Sequence, residues 1–264
     1  MISYRGVVDA ALTRNDRKAK NLFASESFWN AARKSMMFKK VRAPVVTIVA
    51  LLLIGSSSVV QAAENRALSA EIRFLSREWE HVKLQVDNRD EQEKRMAVLA
   101  QNAADIAQRY QGSSEATIWV GIITSEQASM ASENGSPIKA LGLAKRARDI
   151  LEKVEEIDPM ALDAAAPTSL GVLYYRVPEF PLGFGDKSKA RHYLREAIMN
   201  APNGLDANYF YGDFLYEQHE YPEAIKVLKR SLTLPVLLER PIWDRSRRLV
   251  IQELLAKMQS NIKN

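Results

Sequence analysis

Cysteine is absent from the 264 residues. Its absence excludes disulfide scaffolds, thiol nucleophiles, Cys-ligated zinc and iron–sulfur clusters. It also excludes a bacterial lipoprotein, whose lipid is carried on a cysteine. Histidine is scarce. His81, His192 and His219 stand isolated, with no HExxH pairing and no second ligand at helical spacing. A GxSxG elbow and a phosphate-binding loop are missing too. Carboxylates are plentiful, but no pair has a spacing that separates it from an ordinary solvated helix face. The sequence therefore predicts no enzyme, no metal and no cofactor.

The net charge of +5 suggests a nucleic-acid binder until its position is counted. Residues 1–62 hold ten basic and three acidic side chains, and the rest of the chain holds 27 basic and 29 acidic. A protein that tracks phosphates needs a basic face, because released counterions supply its affinity. The mildly acidic remainder lacks the charge for one, so nucleic acid is not an expected partner.

The positive segment reads as an address. In 37–63, MFKKVRAPVVTIVALLLIGSSSVVQAA, the residues Lys39, Lys40 and Arg42 precede an apolar run from Ala43 to Ile54. Gly55 and three serines then break the hydrophobic helix, and Val60-Gln61-Ala62 offers the small residues a signal peptidase reads. The pattern predicts a signal peptide over 37–62, cleaved after Ala62 or Ala63, and a periplasmic mature chain. The alternative is an inner-membrane anchor over 43–60, but a span needs about 20 apolar residues. Residues 1–36 read as an upstream extension, from a start assigned too early, or as a polar tail.

After residue 62 no stretch shows sustained period-two alternation, and helical spacing prevails. The pattern predicts helices near 64–86, 90–110, 114–132, 137–157, 160–176, 187–201, 205–219, 221–234 and 242–261. Gly112-Ser113, Asn134-Gly135-Ser136-Pro137, Asp158-Pro159 and Pro202-Asn203-Gly204 mark the breaks. Links this short force neighbouring helices antiparallel.

A repeat underlies the series. Helix pairs of about 34 residues pack closely when small residues sit where the two helices touch. In 205–236, Gly212 and Ala224 hold the two small positions. Leu228 and Ser231 fill the later ones, and Pro235 closes the unit. One unit earlier, Ala190, Leu194, Ala197 and Pro202 match the second helix, and Gly171 the first. Ala147, Leu151, Val154 and Pro159 repeat the second-helix pattern again, with Gly121 as the small residue of that unit's first helix. A degenerate unit lies in 64–110 with Trp79 and Ala97, and 242–261 reads as the capping helix such stacks need. The fold class is thus all-α, a solenoid of antiparallel helix pairs with a C-terminal cap, resembling tetratricopeptide (TPR) repeats.

A narrower likeness rests on three strings. TSLGVLYYRVPEFPLGFGDKSKA (168–190), GLDANYFYGDFL (204–215) and RPIWDRSRR (240–248) resemble exported bacterial TPR proteins of the TRAP-transporter T-component (TatT-like) family. The likeness spans 114–261. It implies a periplasmic protein that partners the substrate-binding protein of a TRAP transporter, and a homo-oligomer with a central apolar passage. This chain departs from lipid-anchored members in lacking the lipobox cysteine. A general envelope scaffold, gripping a peptide or an apolar small ligand in the concave groove, is the alternative.

Candidate binding residues follow from position. Loop 177–186 carries Phe180, Leu182 and Phe184 between prolines and glycines, apolar groups in a connection that ought to be polar. Either the loop is a lip over the concave surface or its rings plug a gap between long helices. Tyr174, Tyr175, Asn208 and Tyr209 lie on first helices, which line the concave face of such stacks, and Tyr offers area and a hydrogen bond together. The run Arg240 to Arg248 could grip an acidic partner. An Asp244–Arg248 pair on a solvated cap explains it equally.

Overall fold

A computed structural model describes the backbone of residues 44–263 and the side-chain surroundings of residues 61–259. The extension 1–36 and the basic Lys39-Lys40-Arg42 cluster lie outside the described residues. The chain divides into two units, Met1–Gln61 and Ala62–Asn264.

Nine helices are present among the described residues: α1 (Pro44–Gln85), α2 (Arg89–Arg109), α3 (Ser114–Glu133), α4 (Pro137–Glu155), α5 (Ala161–Arg176), α6 (Lys187–Asn200), α7 (Leu205–Glu217), α8 (Tyr221–Ser231) and α9 (Pro241–Lys263). No strand is found among them, apart from a lone bridge between Glu179 and Gly185. The starts follow the expected chemistry. Asn88, Ser113 and Asp186 accept backbone N–H bonds as caps, and Pro137 opens α4.

Two boundaries differ from the sequence expectation. The break at Gly55 and the serines does not occur, for α1 runs unbroken from Pro44. One Gly and a few Ser cost a helix about 1 kcal/mol or less apiece, which apolar helix formers on both sides can carry. At the other difference, Leu162, Asp163 and Ala164 have φ of 50°, 55° and 58°. They form a left-handed turn, and right-handed helix begins after it. Pro167 then falls in the first turn, where its missing N–H costs nothing. Left-handed backbone disfavours residues with a Cβ by about 1–2 kcal/mol each. Burial of Ala164 and packing of Leu162 between two core clusters hold the turn in place.

The helices pair antiparallel: α1 with α2, α3 with α4, α5 with α6, and α7 with α8. The last three pairs share one contact. A Cβ at Gly121 would lie 2.6 Å from Leu151 Cγ, one at Gly171 2.5 Å from Leu194 Cγ, and one at Gly212 2.5 Å from Leu228 Cγ. In each unit a first-helix glycine therefore receives a second-helix leucine, and all three leucines are fully buried. Ala147, Ala190, Ala197 and Ala224 are buried beside them. Pro202 follows the C-cap Ala201 of α6, where a helix cannot continue.

First helices stack on first helices, α3 on α5, α5 on α7 and α7 on α9. The last helix is more than a solvating cap. Ile251, Leu255 and Met258 enter the main core, and Trp243 enters the N-terminal core with Leu75, Trp79 and Trp119.

Candidate binding faces

Three surfaces carry the chemistry. One face is built by first helices, where Asp206, Tyr209 and Phe210 of α7 meet α9 and Asp213 meets α5. Trp243 fills its N-terminal end. The Trp79 and Trp243 rings lie 4.4 Å apart between centroids, and Trp119 meets Trp79 edge-on at 5.7 Å. The Trp243 backbone N–H donates to the buried Glu80 carboxylate. Its indole N–H donates to Asp206 at 3.0 Å. Arg247 Nε donates to the same carboxylate at 2.8 Å, and Arg240 lies 3.6 Å from it. The Arg247 guanidinium covers the Tyr209 ring at 4.0 Å.

These contacts settle several candidates. Tyr209 is buried under Arg247 rather than open to ligand. Asn208 is 1% exposed and donates its amide to the Pro202 and Gly204 carbonyls at 3.1 and 2.8 Å. Gly204 offers no capping side chain, so Asn208 ties the entry to α7 from inside. The Arg240–Arg248 run is engaged internally too. Arg248 pairs with Asp244 and donates to the Leu232 and Leu234 carbonyls at 2.9 Å. Ser76 Oγ, Trp79 Nε1 and Arg240 Nε are buried with no hydrogen-bond partner among the described residues.

Further along this face, Tyr175 donates its hydroxyl to Asp213 at 2.6 Å, and Arg176 donates to the same oxygen at 2.5 Å. Burial, then the Asp213 charge, pushes the Tyr175 phenol well above its usual range. Burial raises Tyr174, Tyr209 and Tyr211 as well. A raised folded pKa keeps its stabilising contribution below the unfolded value near 10 and loses it as pH climbs toward the folded value. Melting temperature is therefore expected to hold to about pH 10. Above that it should fall, each buried tyrosine adding up to about 1.4 kcal/mol per pH unit. A flat melting profile from about pH 9 to about pH 11.5, on either side of the ordinary tyrosine value, would contradict these burials.

The second surface is the α5–α6 loop. Gly183 and Gly185 press against the Val177 and Pro178 backbone so closely that no Cβ fits at either. Gly185 donates to the Pro178 carbonyl and Asp186 to that of Tyr174, both at 2.9 Å. The two readings of the loop divide between its rings. Phe184 packs on the core, edge-on to Tyr174 at 5.6 Å and under Arg148 at 4.6 Å. Tyr174 itself is buried and donates to Glu152 at 2.7 Å. Phe180 and Leu182 point outward, 88% and 74% exposed. Thus Phe184 is the plug, and Phe180 with Leu182 forms a raised apolar tip.

The third surface, a basic groove between α6 and α8, was not singled out in the sequence. Its signal was there in the i,i+4 pairs Arg191/Arg195 and Lys226/Arg230. Among the described residues, no group of three metal-ligating side chains comes together, and no helix is long and apolar enough to cross a membrane.

The helix pairs and the repeated glycine–leucine contact define the class: an all-α solenoid of TPR-like pairs. No family model matches the chain, and no curated protein matches it. Among solved structures it is similar to a mutant of MamA, at 16% identity and a TM-score of 0.36, over 72% of this chain and 96% of that one. It is also similar to yeast Tom70, at 15% identity and a TM-score of 0.33. That match covers 72% of this chain and 42% of Tom70.

Proposed function

We propose that this chain is an exported, non-catalytic adaptor that docks on a partner protein through the α5–α6 loop. The partner is the substrate-binding protein of a TRAP-type transporter, and the compartment is the periplasm. The observation that carries the docking reading is the exposed Phe180–Leu182 tip on a loop whose base is fixed by Phe184 and Asp186. A pre-ordered apolar tip loses little conformational freedom on binding, and large apolar anchors dominate interface energetics. The partner and the compartment draw their support from the 168–190, 204–215 and 240–248 strings and from the 37–62 segment. The alternative, a peptide gripped in the concave groove, gains nothing from a groove whose N-terminal end is filled by Trp79, Trp243 and Arg247.

The test is a pull-down of C-terminally tagged chain from its native periplasm, read by mass spectrometry. A TRAP-type substrate-binding protein is the expected dominant partner, recovered at least about tenfold less with Phe180→Ala/Leu182→Ala. That variant should melt like the parent, since it removes only exposed side chains. Phe184→Ala should instead lower stability by roughly 1.5–3 kcal/mol. A dispersed eluate, or one the tip variant leaves unchanged, would overturn the assignment.

A further inference from the structure

The second helices of adjacent units, α6 and α8, flank an open groove of about 410 Å³ with α7 at its base. It is lined by Arg191, Arg195, Asn208, Tyr211, Lys226 and Arg230, with Glu223 as its one acid. Arg191 and Arg195 are one turn apart on α6, and Lys226 and Arg230 one turn apart on α8. Each row thus spaces its charges by about 6 Å along its helix. Like charges at i,i+4 repel, so local helix stability does not account for either row.

The four cations are not equivalent. Arg191 is held in a two-pronged pair with Glu220 and lies 5.0 Å over the Phe214 ring. Among the described residues, Arg195, Lys226 and Arg230 make no ion pair. These three exposed cations line the same groove. Tyr211 is buried at the base of the groove, where the Glu223 charge acts on its hydroxyl ahead of the opposing Arg191 and Arg195 charges. Ile198 and Val227 supply apolar sides. The volume falls in the range of small-molecule sites, and guanidinium forks match carboxylate and phosphate oxygens in two-pronged fashion.

We propose that this groove binds a small multivalent oxyanion, bridged between the α6 row and the α8 row. Valence follows from the layout: with Arg191 paired to Glu220, one cation is left on α6 and two on α8, so a ligand that spans both rows needs two or more negative groups. The site is separate from the Phe180–Leu182 tip and does not depend on the docking reading.

The experiment is calorimetric titration of the full chain with sodium citrate and with sodium pyrophosphate, at low salt and at about 0.15 M salt. One saturable site for at least one anion is expected, weakening with salt and accompanied by a rise in melting temperature. Citrate alone assigns a polycarboxylate, pyrophosphate alone a phosphate compound, and both the shared chemistry. Arg195→Ala/Arg230→Ala should weaken binding by at least about tenfold. Arg195→Lys, which keeps the charge and loses the fork, should fall between the double variant and the parent. Lys229→Ala removes a neighbouring α8 charge outside the groove and should change affinity by less than about twofold. All of these residues are surface cations, so melting curves of the ligand-free variants should match the parent. The proposal is overturned if neither anion saturates, if Lys229→Ala costs as much as the groove variant, or if an acidic peptide binds the groove and neither small anion does.

Discussion

Gly212→Leu is expected to destabilise the chain by about 3 kcal/mol, through overpacking of a site with no room for a side chain. The first added carbon would already lie 2.5 Å from the Leu228 side chain. Leu228 cannot move aside, because it is fully buried with Leu215 and Phe214 close by in the same core. The effect has a partner-specific signature. Leu228→Ala alone should cost about 2–5 kcal/mol by leaving a cavity. In the double variant the new leucine fills that cavity, so the two losses should fall short of their sum by about 1–3 kcal/mol. Urea titrations of the four proteins measure this coupling directly. Simple additivity would show that the two side chains do not share the contact, and an unchanged midpoint for Gly212→Leu would refute the repeat register.

Trp243→Ala should be at least as costly, at about 3–5 kcal/mol. It removes the ring that packs at a tilt against Trp79, and it leaves the Asp206 carboxylate without its indole donor. Trp243→Phe retains apolar area but not the donor, and should lose less. The readout is specific because three of the four tryptophans, Trp79, Trp119 and Trp243, belong to one cluster. Near-ultraviolet circular dichroism should lose much of its tryptophan signal in Trp243→Ala, and emission from the remaining rings should shift to the red. A variant with parental melting and parental spectra would show that the cluster contributes nothing to holding α9.

Much of the architecture was legible because it is written locally. Small residues at Gly121, Gly171 and Gly212 and leucines at Leu151, Leu194 and Leu228 set the pair contacts, and turn residues set the links. Apart from the start of α1, which lies about twenty residues before the expected one, and the left-handed turn that opens α5, helix ends fell within a few residues of the pattern. Three features were not legible, each for a physical reason. In the Leu162–Ala164 turn only Asp163 belongs to a residue type that tolerates left-handed backbone, and Leu162 and Ala164 do not, so tertiary packing has to select it. Asn208 reads as a polar residue turned away from the packing glycine. Its burial depends on carbonyls freed by the Pro202–Gly204 bend. The joint between Trp79 and Trp243 depends on how the stack curves, which no single repeat encodes.

The loop was partly legible. Its apolar residues stood out against its prolines and glycines, and both readings of them were physically sound. Sequence could not divide Phe184 from Phe180, because the difference lies in which ring meets Tyr174 and Arg148.

The joint between the first and last helices also alters how this solenoid should unfold. A stack whose units touch only their neighbours melts piecemeal, fraying from its ends, and folds from wherever a unit happens to nucleate. Here the Trp243 backbone is bonded to Glu80 across 163 positions of sequence. Neither terminal unit can fray without breaking contacts of the other. The expected behaviour is one cooperative transition, seen alike by helical content and by tryptophan emission, rather than a graded loss of repeats. Closing so long a loop also raises the contact order and slows folding relative to an open stack. A one-dimensional array closed in this way is expected to show the all-or-none character of a globular domain.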